Sequence, residues 1–102
     1  MKAELLLQQR QWISQNELIE MKIWRVPCPV PPCDHEYKYS LVYIRDGQRI
    51  IGFDNERGKG DHCHLGDREA RYDFTGTDDL IRDFLKLLKE HRHHGSDIDH
   101  YD

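Results

Sequence analysis

The sequence predicts an α+β domain: an antiparallel β-sheet of about five strands with one C-terminal α-helix packed on a face. Three observations predict it. Runs of β-branched and aromatic residues separated by turn signals occupy residues 4–53. A segment of helical periodicity begins near Thr77. A chain of 102 residues, 37% of them apolar, is large enough for one core without a metal or disulfide to hold it.

The elements follow in order. Glu4 to Trp12 and Leu18 to Val26 have strand character around the polar turn Ser14-Gln15-Asn16-Glu17, which reads as a hairpin. In the second run Ile19, Met21 and Ile23 alternate with Glu20 and Lys22, so the apolar side chains share one face. The stretch Pro27 to Cys33 holds all four prolines. Their fixed φ and missing N–H groups exclude helix and central strand and predict a stiff surface connection. Tyr37 to Ile44 is a third strand, and Asp46-Gly47 turns it into a fourth at Arg49 to Phe53. Glu69 to Phe74 reads as a short fifth. Thr77 then supplies an N-cap, with Asp78 and Asp79 in the first turn of a helix whose apolar face is Leu80, Ile81, Phe84, Leu85 and Leu88. Lys86, Lys89 and Arg92 suit its C-terminal half, and Gly95 is placed beyond its end. Residues 1–92 are therefore expected to form the domain, and 93–102 a polar, disordered tail.

The formal net charge of −4 excludes a binder held to nucleic acid by a broad basic surface, because that mode neutralises many phosphates. The charge is uneven. Residues 38–72 carry seven Lys or Arg against six acids, whereas 73–102 carry four against eight. A local anion site in the middle of the chain remains open. The apolar run at the N-terminus breaks off after Leu7, so no signal peptide or membrane span is expected. Three cysteines without an export signal point to reduced thiols and a cytoplasmic location.

Most of the polar chemistry lies between Asp54 and His64. Gly58 and Gly60 flank Lys59, which places this lysine at the tip of a tight loop that an anion can reach. If Asp61 to His64 are extended, His62 and His64 project to one face while Asp61 and Cys63 project to the other. RNA cleavage through the 2′-hydroxyl needs a base, an acid and a cation at the phosphate. Two histidines supply the first pair of roles near neutral pH, and Lys59 or Arg57 the third. A solvated hairpin end with incidental histidines fits the same spacing.

Zinc is the competing chemistry, with Cys28, Cys33, His35 and Cys63 as candidate ligands beside the two histidines. The spacing is poor: Pro29, Pro31 and Pro32 stiffen the cysteine pair, and adjacent His62-Cys63-His64 cannot all face one ion. No Walker loop, G-x-S-x-G, H-E-x-x-H or EF-hand pattern occurs. Trp12, Trp24, Tyr37, Tyr39 and Tyr43 read as core or cross-strand pairs before base-stacking platforms. His91, His93 and His94 read as a solvated run.

The stretch Ile23-Trp24-Arg25-Val26-Pro27, with Pro29-Val30-Pro31, Tyr37-Lys38-Tyr39, Tyr43, Phe53-Asp54-Asn55-Glu56, Gly58-Lys59-Gly60-Asp61-His62, His64 and Asp83-Phe84, resembles the TumE family of small bacterial toxins. The resemblance spans roughly residues 1–90. It implies the toxin of a toxin–antitoxin pair, with a helix-turn-helix antitoxin as partner and no catalytic assignment to carry over. Cys28, Cys33 and Cys63 depart from the pattern.

The expectation is an RNA-directed toxin acting as a metal-independent endoribonuclease without a cofactor. In it His62 and His64 are acid and base, Asp61 or Asp54 orients an imidazole, and Lys59, Arg57 and Lys38 bind phosphate, supported by Asn55 and Glu56. The alternatives are a non-catalytic protein- or nucleic-acid-binding module that inhibits by occupancy, and a small zinc-binding domain.

Overall fold

The computed structural model describes residues 2–100, with side chains described for 2–92. Six strands form one antiparallel sheet in sequence order: β1 (Glu4–Trp12), β2 (Glu17–Arg25), β3 (Tyr37–Arg45), β4 (Gln48–Glu56), β5 (Gly60–Leu65) and β6 (Arg68–Arg71). The helix α1 (Thr77–His100) follows. The class is the expected α+β, and the strand beyond the expected five is β5. Among the described residues no helix is long and apolar enough to cross a membrane.

The period-2 pattern and the register build the core. Ile19, Met21 and Ile23 on β2 stand opposite Tyr43, Leu41 and Tyr39 on β3, and Leu41 and Tyr43 stand opposite Phe53 and Ile51 on β4. This face receives Leu80, Phe84 and Leu88 of the helix, one turn apart on its apolar side. Phe84 meets Phe53 edge-on at 6.2 Å between ring centres. The turn at Asp46-Gly47 has positive φ at both residues, 52° and 76°, the conformation that matches the twist of a two-residue hairpin.

The helix backbone continues through Gly95 to His100, whereas the sequence placed Gly95 beyond its end. An internal glycine weakens a helix by about 1 kcal/mol relative to alanine without ending it. The tail expected at 93–102 lies outside the residues whose side chains are described.

The helix is also tied to the sheet through Glu17 at the start of β2. Tyr43 Oη donates to its carboxylate, and Arg92 approaches it with Nε at 3.0 Å. Burial raises the Glu17 carboxyl, but the hydrogen bonds from Tyr43, Ser14 and Arg92 outweigh it and hold the group below its ordinary value of 4.5. A depressed folded-state value stabilises the fold above the unfolded value, and that contribution is lost as pH falls through the folded one. Acid titration of unfolding should therefore lose slope below about pH 4.5 in Glu17→Gln; an unchanged acid limb would show that Glu17 is not linked to folding.

Candidate functional site

Two adjacent rows of cross-strand neighbours assemble the candidate site on the face opposite the helix. One row runs Ser40–Asp54–His62–Arg71 across β3 to β6, and the next runs Val42–Gly52–His64–Glu69. Directly opposed residues bring their side chains together on one face, so Asp54 lies beside His62 and diagonal to His64. Gly52 leaves room: a Cβ there would sit 3.0 Å from Arg49 Cδ and 3.6 Å from the His64 ring.

His62 and His64 are 4% and 8% exposed. Their rings meet edge-on with centres 4.8 Å apart. Both converge on one oxygen: Asp54 Oδ1 is 2.6 Å from His62 Nε2 and 3.6 Å from His64 Nε2. The 2.6 Å approach lies off the hydrogen-bond direction, so both atoms are buried without a directed partner. His62 Nδ1 lies 2.9 Å from the Gly60 carbonyl oxygen, which only accepts, so this nitrogen carries the proton and donates. His64 Nδ1 faces Glu69 Oε2 at 3.6 Å.

Glu69 in turn accepts from Lys59 Nζ at 3.4 Å. Desolvation raises the Glu69 carboxyl, and the hydrogen bond and positive charge of Lys59 bring it below 4.5.

Asp61 points to the other face, as the alternation expected. It accepts from Tyr39 Oη at 2.6 Å and pairs with His35 Nε2 at 2.8 Å. The Tyr37 N–H donates to His35 Nδ1, so His35 presents its Nε2 proton to the carboxylate. Phe74 stacks on His35 at 4.0 Å. Of the two orienting candidates, Asp54 therefore touches the histidine pair and Asp61 touches His35. The network fastens the proline-rich connection to β3 and β5, and burial together with Asp61 pushes the Tyr39 hydroxyl well up.

Asn55 lies on this same side. It is fully buried, donates to the Tyr37 carbonyl at 2.7 Å and accepts from the Tyr39 N–H at 3.0 Å. The Pro31 carbonyl accepts from the Gly58 N–H at 2.8 Å, which seats the connection on the β4–β5 turn. Gly60 is required there twice over, by its φ of 80° and because a Cβ would press Pro32 Cγ at 3.3 Å.

The candidate zinc ligands separate. Cys33 and His35 gather with Asp61, whereas Cys28 is exposed and Cys63 packs against the hydrophobic core, its thiol pushed up by burial. Desolvation also raises the Cys33 thiol.

A cleft of about 560 Å³ opens between the proline-rich connection, the tip of β5 and β6–Phe74. His62 forms part of its wall, Lys59 and Arg71 supply cations, and Tyr72 and Phe74 supply aromatic surface. Of the three phosphate candidates only Lys59 lines this cleft. Arg57 is exposed on the hairpin tip beside Glu56, and Lys38 Nζ donates to the Asn55 carbonyl. Arg71 and Glu69 escaped the sequence reading as site residues, and Tyr39 was read only as a core aromatic, because only the register places them beside His62, His64 and Asp61.

The sequence pattern of the family described as toxin TumE matches residues 3–93. No curated protein and no solved structure matches the chain.

Proposed function

Since the chain belongs to the TumE toxin family and is thereby the toxin component of a toxin–antitoxin pair, we propose that it inhibits growth by cleaving RNA at the cleft beside Asp54, His62 and His64. The observation that carries this reading is a buried histidine pair sharing one carboxylate, of which His62 forms part of the wall of a nucleotide-sized cleft that Lys59 and Arg71 also line.

In this reading Lys59 and Arg71 hold the phosphate, and Tyr72 or Phe74 stacks a base. One histidine takes the 2′-hydroxyl proton as the 2′-oxygen attacks phosphorus, and the other protonates the departing 5′-oxygen. The products are a 2′,3′-cyclic phosphate and a 5′-hydroxyl, so atoms and protons balance without a metal. The reaction belongs in the cytoplasm, and the antitoxin is a helix-turn-helix protein encoded beside the toxin. Two cations correspond to a salt slope of about −1.4 for a single strand, at about −0.7 per phosphate.

Occupancy without cleavage is the second reading, and one observation favours it: both nitrogens of each ring already face a protein oxygen. Incubation of the purified chain with cellular RNA in the presence of a chelator separates the two. Cleavage yielding cyclic-phosphate ends supports catalysis. Intact RNA together with growth inhibition supports occupancy.

A further inference from the structure

We infer that Asp54, His62 and His64 form a binding site for one divalent transition-metal ion, zinc in the first instance. The ligand set is two imidazoles and one carboxylate, the combination that leaves open positions on such ions. It differs from the cysteine-containing set that the sequence suggested, and no thiol lies in it.

Distance supports it first. Two ligand atoms that each sit about 2.0–2.2 Å from one ion are about 2.8–3.6 Å apart in octahedral or tetrahedral arrangements. The contacts of Asp54 Oδ1, at 2.6 and 3.6 Å from the two Nε2 atoms, bracket that spacing. One ligand atom from each of the three residues lies within 4.8 Å of the others.

The orphaned atoms support it independently. With its Nδ1 proton donated to Gly60, neutral His62 turns an Nε2 lone pair toward a carboxylate oxygen, and two acceptors cannot stabilise one another. A bridging proton would resolve the conflict through a directed hydrogen bond, and the geometry provides none at either atom. A cation bound by both atoms needs no such N–H direction. The His62 side chain is 5% exposed, so water offers little compensation.

The surroundings match a metal centre as well. Ligating histidines hold their remaining nitrogen against a carbonyl or carboxylate, which fixes the ring and raises its basicity. Here the Gly60 carbonyl serves His62 and Glu69 faces His64. Arg49, lying over Gly52 near His64, and Lys59, paired with Glu69, are the nearby cations.

The inference stands apart from RNA cleavage. A nitrogen that ligates an ion cannot carry a proton, so occupancy should suppress chelator-resistant cleavage by the same histidines.

The test is titration of the untagged full chain, stripped of metal, with Zn²⁺ by calorimetry and with Co²⁺ by visible absorption. The expected result is one ion per chain with a nitrogen–oxygen ligand spectrum and no thiolate band. Asp54→Asn should weaken binding at least 100-fold and Glu69→Gln 10- to 100-fold. A variant with His91, His93, His94 and His100 replaced by alanine should bind as the parent does. Circular dichroism checks folding, and if His62→Ala does not fold, Asp54→Asn and Glu69→Gln decide. Absence of one-to-one binding, a thiolate band from Cys33, or binding that survives Asp54→Asn and disappears with the tail histidines overturns the site. Metal binding without RNA cleavage would retain this site and remove the nuclease; chelator-resistant cleavage without metal binding would do the reverse.

Discussion

Replacement of both His62 and His64 by alanine is expected to abolish growth inhibition while leaving a folded domain. Loss of an acid or a base costs about 10²- to 10⁴-fold in rate, enough to remove toxicity at ordinary expression. His62 should dominate, because it lies in the cleft wall at 2.6 Å from Asp54, whereas His64 touches Asp54 and Glu69 only at 3.6 Å. Both rings stand on the face away from the helix, so their removal leaves the Leu41, Phe53 and Phe84 packing in place. The Asp54 side chain, 22% exposed, can turn to water once its partners are gone. Growth assays with the single and double variants, alongside thermal melts, check this. Full toxicity in a folded double variant would remove both the acid–base and the metal roles of these residues in the activity.

The second large effect lies one residue from Asp54. Asn55→Ala should destabilise the domain by about 2–4 kcal/mol, because it strands a buried donor and a buried acceptor at once. The Tyr39 N–H and the Tyr37 carbonyl lose their partner where β3 and β4 diverge. Asn55→Asp preserves the acceptor but turns a second one on the Tyr37 carbonyl and adds a charge near Asp61, so it should be at least as costly. Chemical denaturation measures both, and a loss below about 0.5 kcal/mol would show that the Asn55 bonds are replaced by water. The same substitution should loosen the proline-rich connection, since the Asn55 amide also reaches Cys33 Sγ at 3.7 Å.

Different parts of the fold were legible for different reasons. Ile19, Met21 and Ile23 alternate with charges, so their shared face was readable directly, and the helix announced itself through Thr77, two aspartates and the spacing of Leu80, Phe84 and Leu88. The strand β5 was hidden. Gly60 to Leu65 places histidines on one face and Asp61 with Cys63 on the other, so polarity does not alternate even though the backbone does. Glycines on both sides of Lys59 made the whole segment resemble a loop, and β4 runs three residues past Phe53.

The sequence by itself determined the class, the helix, the hairpin at Asp46-Gly47, the toxin family and the common side of His62 and His64. These follow from backbone periodicity, turn chemistry and a local string of residues, all of which act over a few positions. Only the tertiary structure decided which acid meets which histidine. Alternation along β5 already turns Asp61 away from the two histidines; the register of β4 against β5 brings Asp54 to His62 and His64, and the fold brings His35, 26 residues upstream, to Asp61. The Asp54 contact depends on long-range strand pairing, where a slip of one residue would turn Asp54 to the other face and set Phe53 or Asn55 opposite His62 instead.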